Sequence, residues 1–170
     1  MPLNESLSYT FDQINETLAG VLDGLHAEAL AWRPDPAANS IAWLAWHLTR
    51  VEDTHITELA NRSQVWHEQP WAQRLGLPEG DDSHGYGDSP EDVARIQPPD
   101  VGALLEYSRA TTEMIRTFLE TTSEDDFDRV VDDRWDPPVT MGVRLVSVIG
   151  DAFQHVGQAA YVRGLYERRS

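Results

Sequence analysis

Apolar residues recur at alternating steps of three and four over much of the chain, and this periodicity limits the fold more than any other feature. The first such stretch contains Leu7, Phe11, Ile14, Leu18, Leu22 and Leu25. Spacing of this kind places side chains on one face of an α-helix. Three further stretches begin near Ser40, Asp100 and Thr140, which are residue types that cap helix N-termini. No stretch alternates with period two, so we expect no sheet.

Four amphipathic helices predict an all-α fold, a four-helix bundle. A chain of 170 residues with 41% hydrophobic content can form one domain, residues 1–170, with a full core. The second and third helices are joined by residues 61–99, which are rich in Gly, Pro, Asp and aromatic residues. So long a crossover lets these two helices run parallel, and loops of this length are often functional. We expect a short helical piece within residues 66–75 and one short turn within residues 123–138.

Charge and residue usage exclude several classes of function. The net charge of −16 opposes binding to nucleic acids or anionic membranes, which require a basic surface. No apolar run reaches the ~20 residues that span a bilayer. The first residues do not resemble a signal peptide, so we expect a cytoplasmic protein. The absence of cysteine excludes disulfides, Cys-ligated zinc and a protein thiol nucleophile.

Two polar residues interrupt the apolar face of the fourth helix. Asp151 and His155 are four residues apart and therefore share that face. An acid and an imidazole are costly to bury there unless something pairs with them. His47, on the apolar face of the second helix, completes a set of two histidines and one carboxylate. Such a set suits a divalent metal, Zn above all, or Ni, Fe or Mn, with open positions for a substrate.

Each of these three residues also has an ordinary structural interpretation. His47 and His155 could be core histidines bonded to backbone carbonyls. Asp151 could form a salt bridge with an arginine such as Arg144 or Arg163.

The remaining histidines fit a metal centre less well. His55 lies eight residues beyond His47, about 12 Å along the helix axis, so the two cannot share one ion. We therefore interpret His55 as part of the core or of a pocket wall. His26, His67 and His84 fall in predicted linkers, where we expect contact with solvent.

Four aromatic residues are candidates for substrate binding. Trp43 is close in sequence to His47, while Trp66, Trp71 and Tyr86 lie in the long crossover. The crossover residues could form a hydrophobic lid over a substrate, or they could pack the loop onto the bundle.

Residues 39–48 (NSIAWLAWHL) and 151–158 (DAFQHVGQ), together with the Trp-x-Pro linker before the second helix, resemble the DinB superfamily. The similarity covers almost the whole chain. It implies a four-helix bundle in up-down-down-up order, often dimeric, with a metal between the second and fourth helices. The family's usual ligands are three histidines, at positions matching His47, Asp151 and His155. The middle one is Asp here, whereas branches such as the mycothiol-dependent maleylpyruvate isomerases have Glu.

The resemblance implies a metal-dependent transferase that adds a low-molecular-weight thiol to an electrophilic small molecule, and it also implies a homodimer. Mycothiol is favoured because all 13 basic residues are Arg, which suggests a GC-rich genome. A metal-bound thiol is deprotonated, and the thiolate is the nucleophile. No catalytic residue is assigned beyond the ligands.

Two other functions remain open. One is a metal-dependent hydrolase, which needs a general base. We expect Glu52 and Asp53 to be poor candidates for that base because the helical pattern turns them away from His47. The other is a non-enzymatic, metal-binding protein related to stress.

Overall fold

The computed structural model describes residues 1–169, and most of them are helical. The helices are α1 (Leu3–Leu22), α2 (Ala27–Ala31), α3 (Ile41–Leu59), α4 (Trp71–Arg74), α5 (Pro90–Val93), α6 (Gly102–Glu120) and α7 (Met141–Glu167). Two short strands are β1 (Val130–Asp132) and β2 (Val139–Thr140). The four long helices α1, α3, α6 and α7 correspond to the four apolar stretches. The predicted all-α fold is therefore confirmed, while the short α2 was not predicted.

Local hydrogen bonds explain where the long helices begin. The side chains of Ser40 and Thr140 each accept a hydrogen bond from the backbone N–H three residues further on. Such bonds satisfy N–H groups that have no partner within the helix. Asp100 accepts a bond of 2.7 Å from the backbone N–H of Gly102, the first residue of α6. All three residues thus act at helix starts, as the sequence predicts.

Contacts along α1 and α6 show that these helices are antiparallel. Asn4, near the start of α1, donates to the carbonyl of Leu119 at the end of α6. Further along, Asn15 donates to Ser108 Oγ at 2.6 Å.

The direction of α7 follows from its two ends. Arg144, near its start, bonds His55 near the end of α3, so α3 and α7 are antiparallel. Arg163, near its end, donates to the carbonyl of Val21 at the end of α1, so α1 and α7 are parallel. The four long helices therefore run up-down-down-up, and α3 is parallel to α6. The crossover makes this possible.

The crossover is anchored to the bundle by buried aromatic residues. Trp66, in a 3₁₀ turn over residues 65–67, and Trp71, at the start of α4, lie 5.2 and 5.4 Å from the ring of Tyr107 on α6. Asp53 on α3 accepts hydrogen bonds from the backbone of that turn and from Tyr107. The predicted helical piece is confirmed, and these contacts fix the path by which the chain returns across α3.

The expectation of no sheet was wrong. After a 3₁₀ turn over residues 124–128, β1 and β2 pair antiparallel just before α7. Strands of three and two residues are too short for an alternating pattern to be recognised. The small sheet buries Asp132, which bonds Arg134 and Arg144. Within residues 1–169, no helix is long and apolar enough to cross a membrane.

Candidate metal centre

The antiparallel packing of α3 on α7 brings the three predicted ligands together. One ligand atom from each of His47, Asp151 and His155 lies within 4.8 Å of the other two. The rings of His47 and His155 are nearly perpendicular, with centroids 4.8 Å apart. His155 Nε2 is 3.6 Å from Asp151 Oδ1. These residues form a possible metal-binding triad.

Hydrogen bonds on the far side of each imidazole leave one ring nitrogen free for a cation. His47 Nδ1–H donates to the carbonyl of His84 at 2.6 Å, and His155 Nδ1–H donates to Gln158 Oε1 at 2.9 Å. Both partners are oxygen acceptors, so Nδ1 carries a proton in each ring. The Nε2 atom of His47 therefore keeps its lone pair, while Nε2 of His155 faces Asp151. Metal-binding histidines are oriented by bonds of this kind.

The carboxylate also fits a cation. Asp151 Oδ2 is buried and has no hydrogen-bond partner among residues 1–169. A buried acceptor without a donor is rare in native structures, and an ion can satisfy it. Two imidazole nitrogens and one carboxylate oxygen are a donor set that zinc binds readily.

The environment of the triad favours the ligand forms of His47 and Asp151 but the protonated form of His155. Burial lowers the pKa of His47 and keeps that ring neutral. The hydrogen bond between Asp151 and His155 lowers the pKa of the carboxyl and raises that of the imidazole. A cation must therefore displace the proton of His155 when it binds, so metal affinity falls as the pH falls.

Two details differ from what the sequence suggested. Asp151 lies at the edge of the core, with 39% of its side chain exposed, so its desolvation cost is smaller than for an interior position. The alternative salt bridge to an arginine was wrong. Arg144 bonds His55 instead, and Arg163 donates to carbonyls at the end of α1.

Residues 84 and 85 of the crossover pack directly against His47. Gly85 has a φ of +90°, and a Cβ built there would lie 2.5 Å from His47 Nδ1, so any side chain would clash with the ring. Arg50 holds the preceding residues, donating to the carbonyl of Ser83 at 2.9 Å. This geometry brings the His84 carbonyl to His47. The sequence predicts a linker at residues 84 and 85. The only sequence feature that could have indicated their contact with His47 is a glycine in an aromatic-rich stretch.

A cavity of about 350 Å³ opens beside the triad. Besides His47 and Asp151, it is lined by Val51, Thr54, His55, His84 and Tyr86. This volume lies in the range of small-molecule sites. His55 lies in the pocket wall, as the sequence suggested, and His84, although exposed, also contributes to the lining.

The four aromatic candidates separate into two groups. Trp43 stacks on His47 with ring centroids 4.5 Å apart, and Tyr86 lies exposed at the cavity. Trp66 and Trp71 pack against α6 and do not line this cavity. Their rings pack the loop onto the bundle, and both residues line a separate cavity of about 470 Å³. Substrate contacts by all four aromatic residues stay predictions.

Glu52 and Asp53 are both buried in α3. Asp53 is fully occupied with anchoring the crossover. Glu52 Oε1 has no partner among the described residues, and burial, reinforced by the charges of Asp151 and Asp53, raises the pKa of Glu52 to about 8. Glu52 is therefore mostly protonated at neutral pH.

Similarity to known proteins identifies the family of the chain. A family model for mycothiol S-transferases matches residues 6–168. The chain belongs to the mycothiol S-transferase family. This confirms the DinB-like resemblance and supports a thiol S-transferase-like activity in general. A crystal structure of a conserved protein from Enterococcus faecalis is similar, with 31% identity, 96% of each chain covered and a TM-score of 0.88. No curated protein matches the chain.

Proposed function

We propose that this protein is a metal-dependent transferase that adds a low-molecular-weight thiol, preferentially mycothiol, to an electrophilic small molecule. The observation that carries the proposal is the triad of His47, Asp151 and His155 beside a cavity, in a chain of the mycothiol S-transferase family. The chain has no cysteine, so the nucleophilic sulfur comes from a second substrate.

The residues of the site have distinct roles in this proposal. A divalent cation, zinc by preference, supplies a deprotonated thiol near neutral pH. The two imidazole nitrogens and the carboxylate would hold the cation, with His84 and Gln158 fixing the ring orientations. Trp43, stacked on His47, shields the site from water. The cavity leaves room for the electrophile next to the sulfur.

Metal content is the first test. The freshly purified protein is expected to contain close to one equivalent of a divalent metal, measured by elemental analysis. His47→Ala and His155→Ala should lose it. His67→Ala, an exposed histidine outside the triad, is the matched control and should retain the metal. Metal contents that are equal in all four proteins would refute the assignment of the ligands.

The side chain at position 151 gives a finer test. Asp151→His restores the family's usual ligand and should keep the metal, whereas Asp151→Ala should lose it. Equal retention of metal by these two variants would show that residue 151 is not a ligand.

Transferase activity is tested with mycothiol and allyl bromide, with the thioether product measured by mass spectrometry. Activity should require both the thiol and the metal, and the two alanine variants of the histidine ligands should be inactive. Wild-type turnover in either variant would refute the mechanism. Metal-dependent conversion of allyl bromide to allyl alcohol without any thiol would indicate hydrolysis instead. Loss of thermal stability on chelation, with no turnover of any thiol, would indicate a non-enzymatic metal-binding protein.

A further inference from the structure

A second polar group faces the same cavity from the far end of α3. His55 Nδ1 is 2.9 Å from Nη1 of Arg144 on α7. The other terminal nitrogen of Arg144 donates to Asp132 Oδ2 on β1 at 3.3 Å. Asp132, Arg144 and His55 thus form a hydrogen-bonded chain from the small sheet to the cavity wall.

This chain fixes the tautomer of His55. A guanidinium can only donate hydrogen bonds, so His55 Nδ1 must be the acceptor. A neutral imidazole that accepts at Nδ1 carries its proton on Nε2. Burial, followed by the charge of Arg144, lowers the pKa of His55 and keeps the ring neutral. The ring therefore offers one oriented N–H donor.

The donor lies in the wall of the cavity that the triad borders. His55 and its neighbour Thr54 both line this cavity, together with His47 and Asp151. Thr54 Oγ1 is buried and has no partner within residues 1–169. Buried polar groups normally have partners, so this end of the cavity suits a ligand that carries a hydrogen-bond acceptor.

We infer that His55 Nε2–H binds the carbonyl oxygen of the electrophile, and that the electrophile is an alkene conjugated to that carbonyl. The inference rests on the proposed thiol transfer. His47 and His55 line the same cavity, so an electrophile in that cavity can lie between the triad and this donor. A conjugated carbonyl separates its oxygen from the attacked carbon by two further carbons, which places the acceptor oxygen on the far side of the molecule from the sulfur.

The reaction is an addition in which atoms and electrons balance. The thiolate sulfur forms a bond to the β-carbon, the carbon–carbon π bond breaks, and its electron pair moves to the carbonyl oxygen. Negative charge therefore develops on the oxygen that His55 binds. A neutral donor placed at such an oxygen stabilises the transition state. The α-carbon then takes a proton from water, which replaces the proton lost from the thiol.

Arg144 and Asp132 are positioning residues in this scheme. Without Arg144, nothing in the described chain requires His55 to hold its proton on Nε2. Asp132 in turn holds Arg144, and its own pKa lies well below the usual range because Arg134 and Arg144 surround it. The short sheet, which contains Asp132, thereby helps to position His55.

The activity test compares two electrophiles in the metal-loaded protein with mycothiol: 2-cyclohexen-1-one, which has the conjugated carbonyl, and allyl bromide, which has no oxygen. His55→Leu should lower kcat/KM for the enone about 100-fold more than it changes kcat/KM for allyl bromide, which is the typical effect of removing one such donor. His55→Gln should restore much of the enone activity, because an amide can accept from Arg144 and donate to the carbonyl. His67→Leu is the matched control and should change neither rate.

The second readout requires neither metal nor activity. In metal-free protein, the ¹⁵N chemical shifts of His55 should show a protonated Nε2 and an unprotonated Nδ1, and Arg144→Met should abolish this preference. A proton on Nδ1 in the wild-type protein would overturn the inference, as would equal losses on both electrophiles in His55→Leu. Wild-type turnover of allyl bromide without turnover of the enone would refute the inference alone. Turnover of neither compound would refute the proposed transferase function, and the inference with it.

Discussion

Glu52 provides a quantitative test of how the buried charges in α3 are arranged. Its carboxyl is almost completely buried, Oε1 has no partner among the described residues, and Asp151 and Asp53 lie close enough to oppose its ionisation. The pKa therefore rises from 4.5 to about 8 on folding. The folded protein binds this proton more tightly than the unfolded chain does, so stability must fall as the pH rises from about 4.5 through 8.

The size of the effect follows from these two pKa values. Once Glu52 is ionised in both states, the destabilisation reaches about 5 kcal/mol, and most of it, about 3.5 kcal/mol, develops between pH 5 and pH 8. Glu52→Gln removes the titrating group while keeping its shape. The unfolding free energy of wild type minus that of the variant should therefore decrease by about 3.5 kcal/mol over this range.

Urea unfolding at pH 5, 6, 7 and 8 in the presence of a chelator measures this difference. The titrations of Asp151 and His155 occur in both proteins and largely cancel. Glu58→Gln, at an exposed position on the same helix, is the matched control for the loss of one carboxylate from α3. If the difference in unfolding free energy between wild type and Glu52→Gln changes by less than about 1 kcal/mol from pH 5 to pH 8, the carboxyl of Glu52 is not buried without a partner. With metal bound, the slope should become shallower, because the charge of Asp151 is then compensated.

Three further predictions concern the supports of the site and the assembly. Gly85→Ala should weaken zinc binding at least 10-fold in a competition assay, because the added Cβ would clash with His47. Gly87→Ala is the control and should bind zinc normally, because Gly87 also has a positive φ but has open space around it. Arg50→Met should lower the unfolding free energy by about 3 kcal/mol, because Asp53 loses the oppositely charged side chain buried beside it. The same variant should bind zinc more weakly, because the segment next to His47 loses its hydrogen bond from Arg50. The homodimer stays a prediction, and sedimentation velocity should give twice the mass of one chain.

The general fold could be predicted because its determinants are local. Heptad-like spacing, helix caps and the length of the crossover are all visible in one sequence, and they predict four helices and allow α3 and α6 to run parallel. The up-down-down-up order itself was implied by the resemblance. The sheet escaped prediction because β1 and β2 together contain only five residues, which is too few for a periodic signal.

The candidate site, like the fold, could be predicted only in part. Asp151 and His155 could be recognised because their spacing places both on one helix face, and His47 because it interrupts the apolar face of another helix. The resemblance then supported grouping the three residues as ligands. The contacts that orient them were not accessible. The acceptor for His47 is a backbone carbonyl, which every residue has, and Arg144 contacts His55 although the two are 89 positions apart in the sequence. Sequence spacing indicates ligands, whereas their orientation depends on tertiary contacts.

The buried charges of α3 explain why this helix carries the site. Burying the charged side chains of Arg50 and Asp53 costs free energy, and helix packing alone does not require charged residues at these positions. Both instead bind the crossover, Asp53 at the 3₁₀ turn and Arg50 at Ser83. The crossover in turn delivers the carbonyl that fixes the tautomer of His47. The orientation of a metal ligand on α3 is thus set by other residues of α3, acting through a loop, and changes within residues 82–85 should alter metal affinity although none of these residues is a ligand.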